Sequence, residues 1–152
     1  MAINNERTDF YLYLSSDDNK SVFTENRANN FHCIIPDGLS LEGKKWECAV
    51  VNVGYYPSDP LPVTGVPRPV YLLSNFVKPS YTPVANAPIL KQFYVSDNLW
   101  KTISKNIIIP EYHEISVTSL SLVNLYITDS NFQMAHLPNG LFAVTLHFRT
   151  KE

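Results

Sequence analysis

The chain begins and ends with stretches in which apolar and polar residues alternate, and this pattern constrains the fold more than any other feature. The first stretch runs from Asp9 to Leu14 and the last from Phe142 to Arg149. Alternation with a period of two is typical of a strand that buries one face. Because no convincing helical pattern lies between them, the sequence predicts an all-β sandwich or barrel.

The composition fits one domain with its own core. The chain has 152 residues, of which 45% are hydrophobic and 12% aromatic. A chain of this kind can fill the space between two sheets without disulfides or metals. Charged residues make up only 17%, against roughly 25% in average soluble domains. Either other subunits cover part of the surface, or asparagine, serine and threonine make up its polar part.

The charge pattern argues against several classes of partner. The net charge is −2 and the longest basic cluster is Lys44-Lys45, which is too little to neutralise the phosphates of a nucleic acid. No apolar run approaches the roughly 20 residues of a membrane span, and residues 1–7 lack the apolar core of a secretion signal. We therefore expect no direct nucleic-acid binding, no membrane span, no secretion signal, and folding in the cytosol.

Turn residues divide the rest of the chain into further short strands. Proline is frequent between residues 57 and 69, which predicts an extended surface loop. Pro36-Asp37-Gly38 is expected to close the second strand as a turn, and residues 97–106 to form a helical turn or a crossing loop. The predicted strands cover residues 9–15, 31–35, 45–56, 70–77, 89–95, 107–109, 112–114, 119–127 and 142–149. About eight antiparallel strands in two sheets suggest a jelly roll or a Greek-key sandwich.

No arrangement of residues points to catalysis or to a metal. His32, His113, His136 and His147 are far apart in the sequence, whereas metal sites of jelly-roll oxygenases usually include a close histidine pair. His147 stands on the polar phase of its strand, which predicts a surface position. Most acidic residues stand in turns, where local hydrogen bonds explain them. Glu47 is the exception, and we expect it to pair with a lysine across the sheet.

We therefore predict no enzyme, no metal and no cofactor, with an unrecognised jelly-roll enzyme as an alternative. Cys33 and Cys48 fall inside predicted strands and are expected to be buried free thiols. The chain contains nine tyrosines, a residue that suits interfaces and β-structure alike. Aromatic residues near Tyr81 and Trp100 could instead stack on a sugar.

Three sets of segments resemble one family when they are taken in order. The first set comprises residues 23–26, 31, 39–50 and 55–57; the second comprises 70–80 and 88–91; the third comprises 120–129, 140 and 146–149. These segments resemble the penton, or minor capsid, proteins of polinton-like, adintovirus-like and virophage-related DNA viruses. The resemblance extends from about residue 9 to residue 149.

The resemblance implies a single jelly roll, an eight-stranded antiparallel β-sandwich over residues 9–150, preceded by a flexible arm at residues 1–8. It implies a structural protein of the virion capsid, assembled in the host cytoplasm or nucleus. A homopentamer of this protein would occupy each icosahedral five-fold vertex and contact the double-jelly-roll major capsid protein. The residues that carry the family motifs or the core are Asn26, Phe31, Leu41, Gly43, Trp46, Glu47, Tyr56, Pro57, Leu90, Leu146 and Phe148.

A second interpretation keeps the fold and changes the function. A carbohydrate- or receptor-binding β-sandwich, such as a viral spike head, would also be rich in tyrosine and would lack catalytic residues. Spike heads tend to be trimers, so the oligomeric state distinguishes the two interpretations.

Overall fold

A computed structural model describes residues 8–58, 68–95, 103–135, 137 and 139–151. These residues form strands and turns, and they include no helix long and apolar enough to cross a membrane. Several predicted features lie partly or wholly outside the described residues. They are the arm at residues 1–7, the proline-rich loop at residues 59–67, the crossing segment at residues 97–102, and His136.

Eleven strands follow one another in the described chain, and eight of them contain four residues or more. The strands are β1 (Asp9–Ser15), β2 (Asn30–Ser40), β3 (Trp46–Pro57), β4 (Arg68–Ser74), β5 (Ser80–Tyr81), β6 (Asn86–Ala87), β7 (Ile89–Val95), β8 (Ile103–Asn106), β9 (His113–Glu114), β10 (Ser119–Asp129) and β11 (Gly140–Thr150).

The strand order is that of a jelly roll. One sheet has the order β1-β11-β3-β8, with β9 also paired to β3, and the other has the order β2-β10-β4-β7. All of these pairs are antiparallel. Among the eight longer strands, the first pairs with the last, the second with the next to last, and so on inward to β4 and β7. A long hairpin wrapped in this way into two sheets is a jelly roll, so the predicted fold is confirmed.

The hydrophobic core lies between the two sheets. Alternation along β1 and β11 directs Phe10, Phe142 and Phe148 into it, and all three are buried. The Phe148 ring stacks on Phe10 with centroids 4.8 Å apart and contacts the Phe76 ring at 5.7 Å. Burial of one such side chain contributes about 1.5–3 kcal/mol, so the paired terminal strands are a main source of stability.

Three register shifts interrupt the regular pairing: in β2 opposite β10, in β3 opposite β11, and in β7 opposite β4. The turn predicted at Pro36 to Gly38 does not end β2, because the pairing with β10 resumes at Leu39 after a register shift. Asp37 and Gly38 both have positive φ within this irregular segment. A second register shift leaves Val51 as the extra residue of β3 opposite β11, and this accounts for the adjacent valines at 50 and 51.

The predicted strand at residues 107–109 is wrong. The backbone N–H of Ile107 still donates to the carbonyl of Val51 at 2.9 Å, but the chain then leaves the sheet. Pro110 follows and has no N–H with which to continue a ladder. As a result Ile108 and Ile109 are 92% and 82% exposed.

Candidate interaction surface

The outward side chains of the first sheet form a surface that we call the tyrosine face: Tyr11, Tyr13, Tyr56, Ala143 and Thr145. Tyr11 and Tyr13 lie on β1, in the phase opposite to the buried Phe10, and are 50% and 75% exposed. The register places Thr145 of β11 directly opposite Tyr13. Exposed aromatic rings on a regular sheet therefore stand beside smaller side chains.

The middle of the tyrosine face is flat because its residues are small. Ala143 of β11 pairs with Ser15 on one side and with Gly54 on the other. The Tyr56 ring lies over Gly54, where an added Cβ would be only 2.9 Å from its Cε2 atom. Glycine at position 54 is therefore what allows this tyrosine to lie against the sheet.

Charged side chains form a row at one end of the tyrosine face. Asp9, Arg149, Glu47 and Glu114 occupy successive positions across β1, β11, β3 and β9. The Nε of Arg149 donates to Oε1 of Glu47 at 2.7 Å, so the partner of this half-buried acid is an arginine and the predicted lysine is wrong. The Arg149 guanidinium also lies 3.4 Å from the centre of the Tyr112 ring, a cation–π geometry.

Glu114 holds two lysines at the same end. Lys78 Nζ lies 2.7 Å from Oε2, and Lys151 Nζ lies 2.6 Å from Oε1. The hydrogen bonds from Lys151 and Lys78, in that order, lower the pKa of Glu114 to about 2. Because all three groups are exposed, salt screens their attraction. Both glutamates of this row are thus paired with cations of the same subunit.

His147 lies between the charged row and the tyrosines, and it is less exposed than the sequence predicted. Its Nδ1 is 2.8 Å from the Tyr112 hydroxyl and its Nε2 is 3.0 Å from Asp9 Oδ2. The ring also stacks on Tyr11 at a centroid distance of 4.6 Å. The surface position of His147 was predicted from the phase of its strand alone. The strand phase does not reveal that Tyr112, from another segment, contacts the ring. His147 therefore connects β1, β11 and the segment before β9.

The second sheet carries a smaller apolar surface, the aliphatic patch, which consists of Val22, Ile34 and Leu122. Ile34 of β2 and Leu122 of β10 are directly opposite each other and are 41% and 43% exposed. Exposed Val22 belongs to the turn whose Asn19 side chain accepts a hydrogen bond from the Ile34 N–H at 2.9 Å. The aliphatic patch thus spans the β1–β2 turn and the outer face of this sheet.

Asparagines border the aliphatic patch, and their hydrogen bonds are internal. Asn75 Nδ2 donates to the Leu122 carbonyl at 3.1 Å, and its Oδ1 accepts from the Asn124 N–H at 3.0 Å. Asn124 in turn donates to the Asn30 side chain at 2.9 Å. These polar groups can be covered by another molecule at little desolvation cost, because protein atoms already satisfy part of their hydrogen-bonding capacity.

An apolar cavity of about 540 Å³ opens between the sheets near β7 and β8. Aliphatic side chains such as Val53, Leu72 and Ile127 line it, with Lys91 and Lys105 also in the wall. The part of the chain that the structure describes contains no group of three or more His, Cys, Asp and Glu residues that could hold a metal. Cys33 and Cys48 are buried free thiols, and burial raises the pKa of each.

The predicted motif residues do not form one site. Six of them belong to the core and are at most 5% exposed: Phe31, Leu41, Trp46, Leu90, Leu146 and Phe148. Gly43 has a φ of 82° in the turn before β3. Glu47, Tyr56 and Pro57 lie on β3 and are not fully buried. The role of these residues as family-motif residues stays a prediction.

Asn26 is the one buried polar residue of the predicted set. Its Nδ2 donates to the carbonyls of Asp18 at 3.2 Å and His32 at 2.8 Å, and its Oδ1 accepts from the His32 N–H at 2.8 Å. The side chain thereby fixes the β1–β2 connection against the start of β2. The tyrosine face, in contrast, was not predicted as a unit, although the polar phase of β1 contains its signal.

No protein-family model and no curated protein sequence matches this chain. Its fold is similar to that of solved structures, among them the crystal structure of the mavirus penton protein. That match has a TM-score of 0.63 at 9% sequence identity, and it covers 94% of this chain and 100% of the mavirus chain. The resemblance to penton proteins that the sequence indicated is therefore confirmed at the level of the fold, and this chain has a jelly roll similar to that of the mavirus penton protein.

Proposed function

We propose that this chain is a structural virion protein that forms a pentameric capsomer at the five-fold vertices of an icosahedral capsid. The observation that carries the proposal is the fold match, which extends over the whole mavirus penton chain and 94% of this one. Five-fold vertices are positions at which a single jelly roll can close a ring of identical copies.

The surface supports a structural role. Both glutamates of the charged row pair with cations of the same subunit, while the tyrosine face and the aliphatic patch expose aromatic and aliphatic groups. Loss of charge and enrichment in tyrosine characterise the centre of protein interfaces. An enzyme would instead need reactive groups beside a cavity, and the apolar cavity between the sheets is lined mainly by aliphatic side chains.

The partners follow from this position. The major capsid protein with a double jelly roll would surround the capsomer, and residues 1–8 would act as an arm that contacts it. The motif residues would serve mainly to hold the jelly roll rigid, since six of them are in the core. The protein would act in the virion capsid, after assembly in the host cytoplasm or nucleus.

Native mass spectrometry of the purified protein over a range of concentrations tests the oligomeric state. A species of five times 17.3 kDa supports the vertex capsomer. A trimer would favour the spike-head interpretation and contradict the proposal. If the protein is a monomer, its location in assembled particles distinguishes the vertex capsomer from the spike head.

A further inference from the structure

We propose that neighbouring copies of this chain contact each other by placing the tyrosine face of one copy against the aliphatic patch of the next. The proposal rests on the proposed function, because it names the surfaces that would close the ring. Its occupant is a second copy of the same chain. Each copy would use both surfaces, one toward each neighbour.

The two surfaces differ, as a ring requires. A cyclic assembly with more than two copies is built from heterologous contacts, in which one patch meets a different patch on the next subunit. The tyrosine face belongs to the first sheet and the aliphatic patch to the second sheet and its adjoining turn. β1 and β2 are edge strands of these two sheets. One subunit therefore presents two different apolar surfaces on opposite sheets.

The chemistry of the surfaces fits mutual burial. Tyr11 and Tyr13 supply ring area and hydroxyl groups, which is the composition of binding hot spots. Ile34 and Leu122 supply aliphatic area without hydrogen-bonding needs. The paired charges Glu47 and Arg149 lie at one end of the tyrosine face, where a polar rim normally surrounds an interface.

The outer face of the first sheet, of which the tyrosine face is a part, is also large enough for a contact with a second copy. The main path of the first sheet is four strands wide, and β11 contains 11 residues. With about 4.8 Å between strands and about 3.4 Å per residue, the sheet face covers roughly 500–700 Å². A stable complex of standard size buries about 800 Å² on each partner, so the sheet face supplies most of the required area.

Two charge-introducing variants test the pairing of these surfaces. Tyr13→Glu should block the tyrosine face, and Ile34→Glu should block the aliphatic patch. We expect each purified variant to be monomeric at concentrations where the wild type assembles, with affinity between copies weakened about 30-fold or more. Tyr81→Glu is the matched control, because Tyr81 is exposed on β5 and belongs to neither surface.

Mixing the two variants gives the sharper test. A Tyr13→Glu copy keeps its aliphatic patch, and an Ile34→Glu copy keeps its tyrosine face, so one intact contact can form between them. We therefore expect the mixture to give mixed dimers that grow no further, which native mass spectrometry resolves by the different masses of the variants. Circular dichroism and thermal unfolding verify that each variant is folded, and Tyr13→Ser and Ile34→Ser replace any variant that is not.

Several outcomes would overturn the inference. Folded variants that assemble like the wild type would show that copies meet elsewhere, and so would a mixture without dimers. A wild type that stays monomeric at every concentration would also overturn it, while the vertex role would still be decided by particle structure. Conversely, a trimer that both variants disrupt would support these surfaces and contradict the pentameric capsomer.

Discussion

The ring of Tyr56 lies over Gly54, so that a Cβ at position 54 would stand 2.9 Å from both the Cε2 and the hydroxyl oxygen of Tyr56. This contact keeps an aromatic side chain against the middle of the first sheet. It also links a residue of the predicted motif to the tyrosine face, since the two residues are neighbours on one side of β3.

Substitution at two glycines near Tyr56 should have different effects. The atoms nearest to a Cβ at Gly54 would belong to the movable end of the Tyr56 side chain. A Cβ at Gly140 would instead lie 2.5 Å from the Tyr56 carbonyl oxygen and 2.7 Å from the Pro57 Cα. We expect Gly54→Ala to change the free energy of unfolding by about 1 kcal/mol or less, and Gly140→Ala to lower it by about 1–3 kcal/mol. Urea unfolding of both variants measures this, and the reverse order would contradict the packing described.

Phe148 should be among the residues most important for stability. It is fully buried on the last strand and contacts Phe10 and Phe76. Phe148→Ala should lower the free energy of unfolding by about 3–5 kcal/mol, because it removes apolar contact and leaves a cavity. Ile109→Ala, at an exposed position, is the control and should change it by less than about 0.5 kcal/mol. Equal losses of stability for the two variants in thermal unfolding would contradict the burial of Phe148.

The Asn26 side chain should contribute through hydrogen bonds and little through packing. Asn26→Ala would leave the N–H of His32 without its acceptor and the carbonyls of Asp18 and His32 without their donor. A loss of about 1–3 kcal/mol in the free energy of unfolding is expected. Asn131→Ala is the matched control, because Asn131 is exposed in a turn. The Asn131 backbone N–H donates to Asp129 Oδ1, and alanine keeps this N–H. A negligible effect of Asn26→Ala would contradict the role given to this side chain.

His113 should make stability depend on pH. Burial, the largest effect, lowers the pKa of His113 below 6.5, and the charge of Lys91 lowers it as well. The charge of Glu111 and a hydrogen bond with the Leu90 backbone raise this pKa, but by less. The unfolded chain then binds the proton more readily than the folded chain. The stability that comes from the neutral ring is therefore present above pH 6.5 and is lost as the pH falls toward the lower pKa of the folded state.

The variant His113→Phe isolates this contribution. The variant should lose less stability between about pH 7.5 and about pH 5.5 than the wild type, because residue 113 no longer titrates. The buried Nε2 of His113 has no hydrogen-bond partner among the described residues, so phenylalanine removes no such bond at this atom. Identical pH profiles in chemical unfolding would show that the ring is protonated as easily in the folded state as in the unfolded state.

The two thiols should be unreactive in the folded protein. Burial raises the pKa of Cys33 to about 11, with a smaller opposing effect of the Ser15 backbone and a raising effect of Asp18. Burial also raises the pKa of Cys48 well above its usual value. Iodoacetamide reacts with thiolates, and burial raises the pKa of both thiols above their usual range, so labelling at about pH 8 should be slow until the protein is unfolded. Mass spectrometry measures it, and rapid labelling of either cysteine in the native state would be inconsistent with this burial.

Local patterns predicted the strands well where turn residues bound a regular alternation. The predicted bounds of β1 and β7 agree with the structure, and the long predicted strand at residues 45–56 is an interior strand of the first sheet. Alternation also assigned the inward phase correctly, with Phe10, Leu14 and Phe31 in the core. These features depend on neighbours in the sequence, which is why a sequence alone contains them.

Other features depend on contacts between distant residues. Pro36-Asp37-Gly38 is typical of a terminating turn, and only the resumed pairing of Leu39 with Leu120 shows that β2 continues beyond it. His147 is held by Tyr112, 35 positions away, and by Asp9, 138 positions away. The tyrosine face likewise arises because β1 pairs with β11. Strand pairing of this kind is not visible in the local pattern of either strand.

The most direct test of the vertex role is the structure of assembled particles by electron cryomicroscopy. The chain would be produced together with the double-jelly-roll major capsid protein of the same virus, and the particles would be reconstructed at their five-fold vertices. We expect five copies of this jelly roll around each five-fold axis. Particles whose vertices hold another protein, or in which this chain occurs only as a trimeric projection, would contradict it.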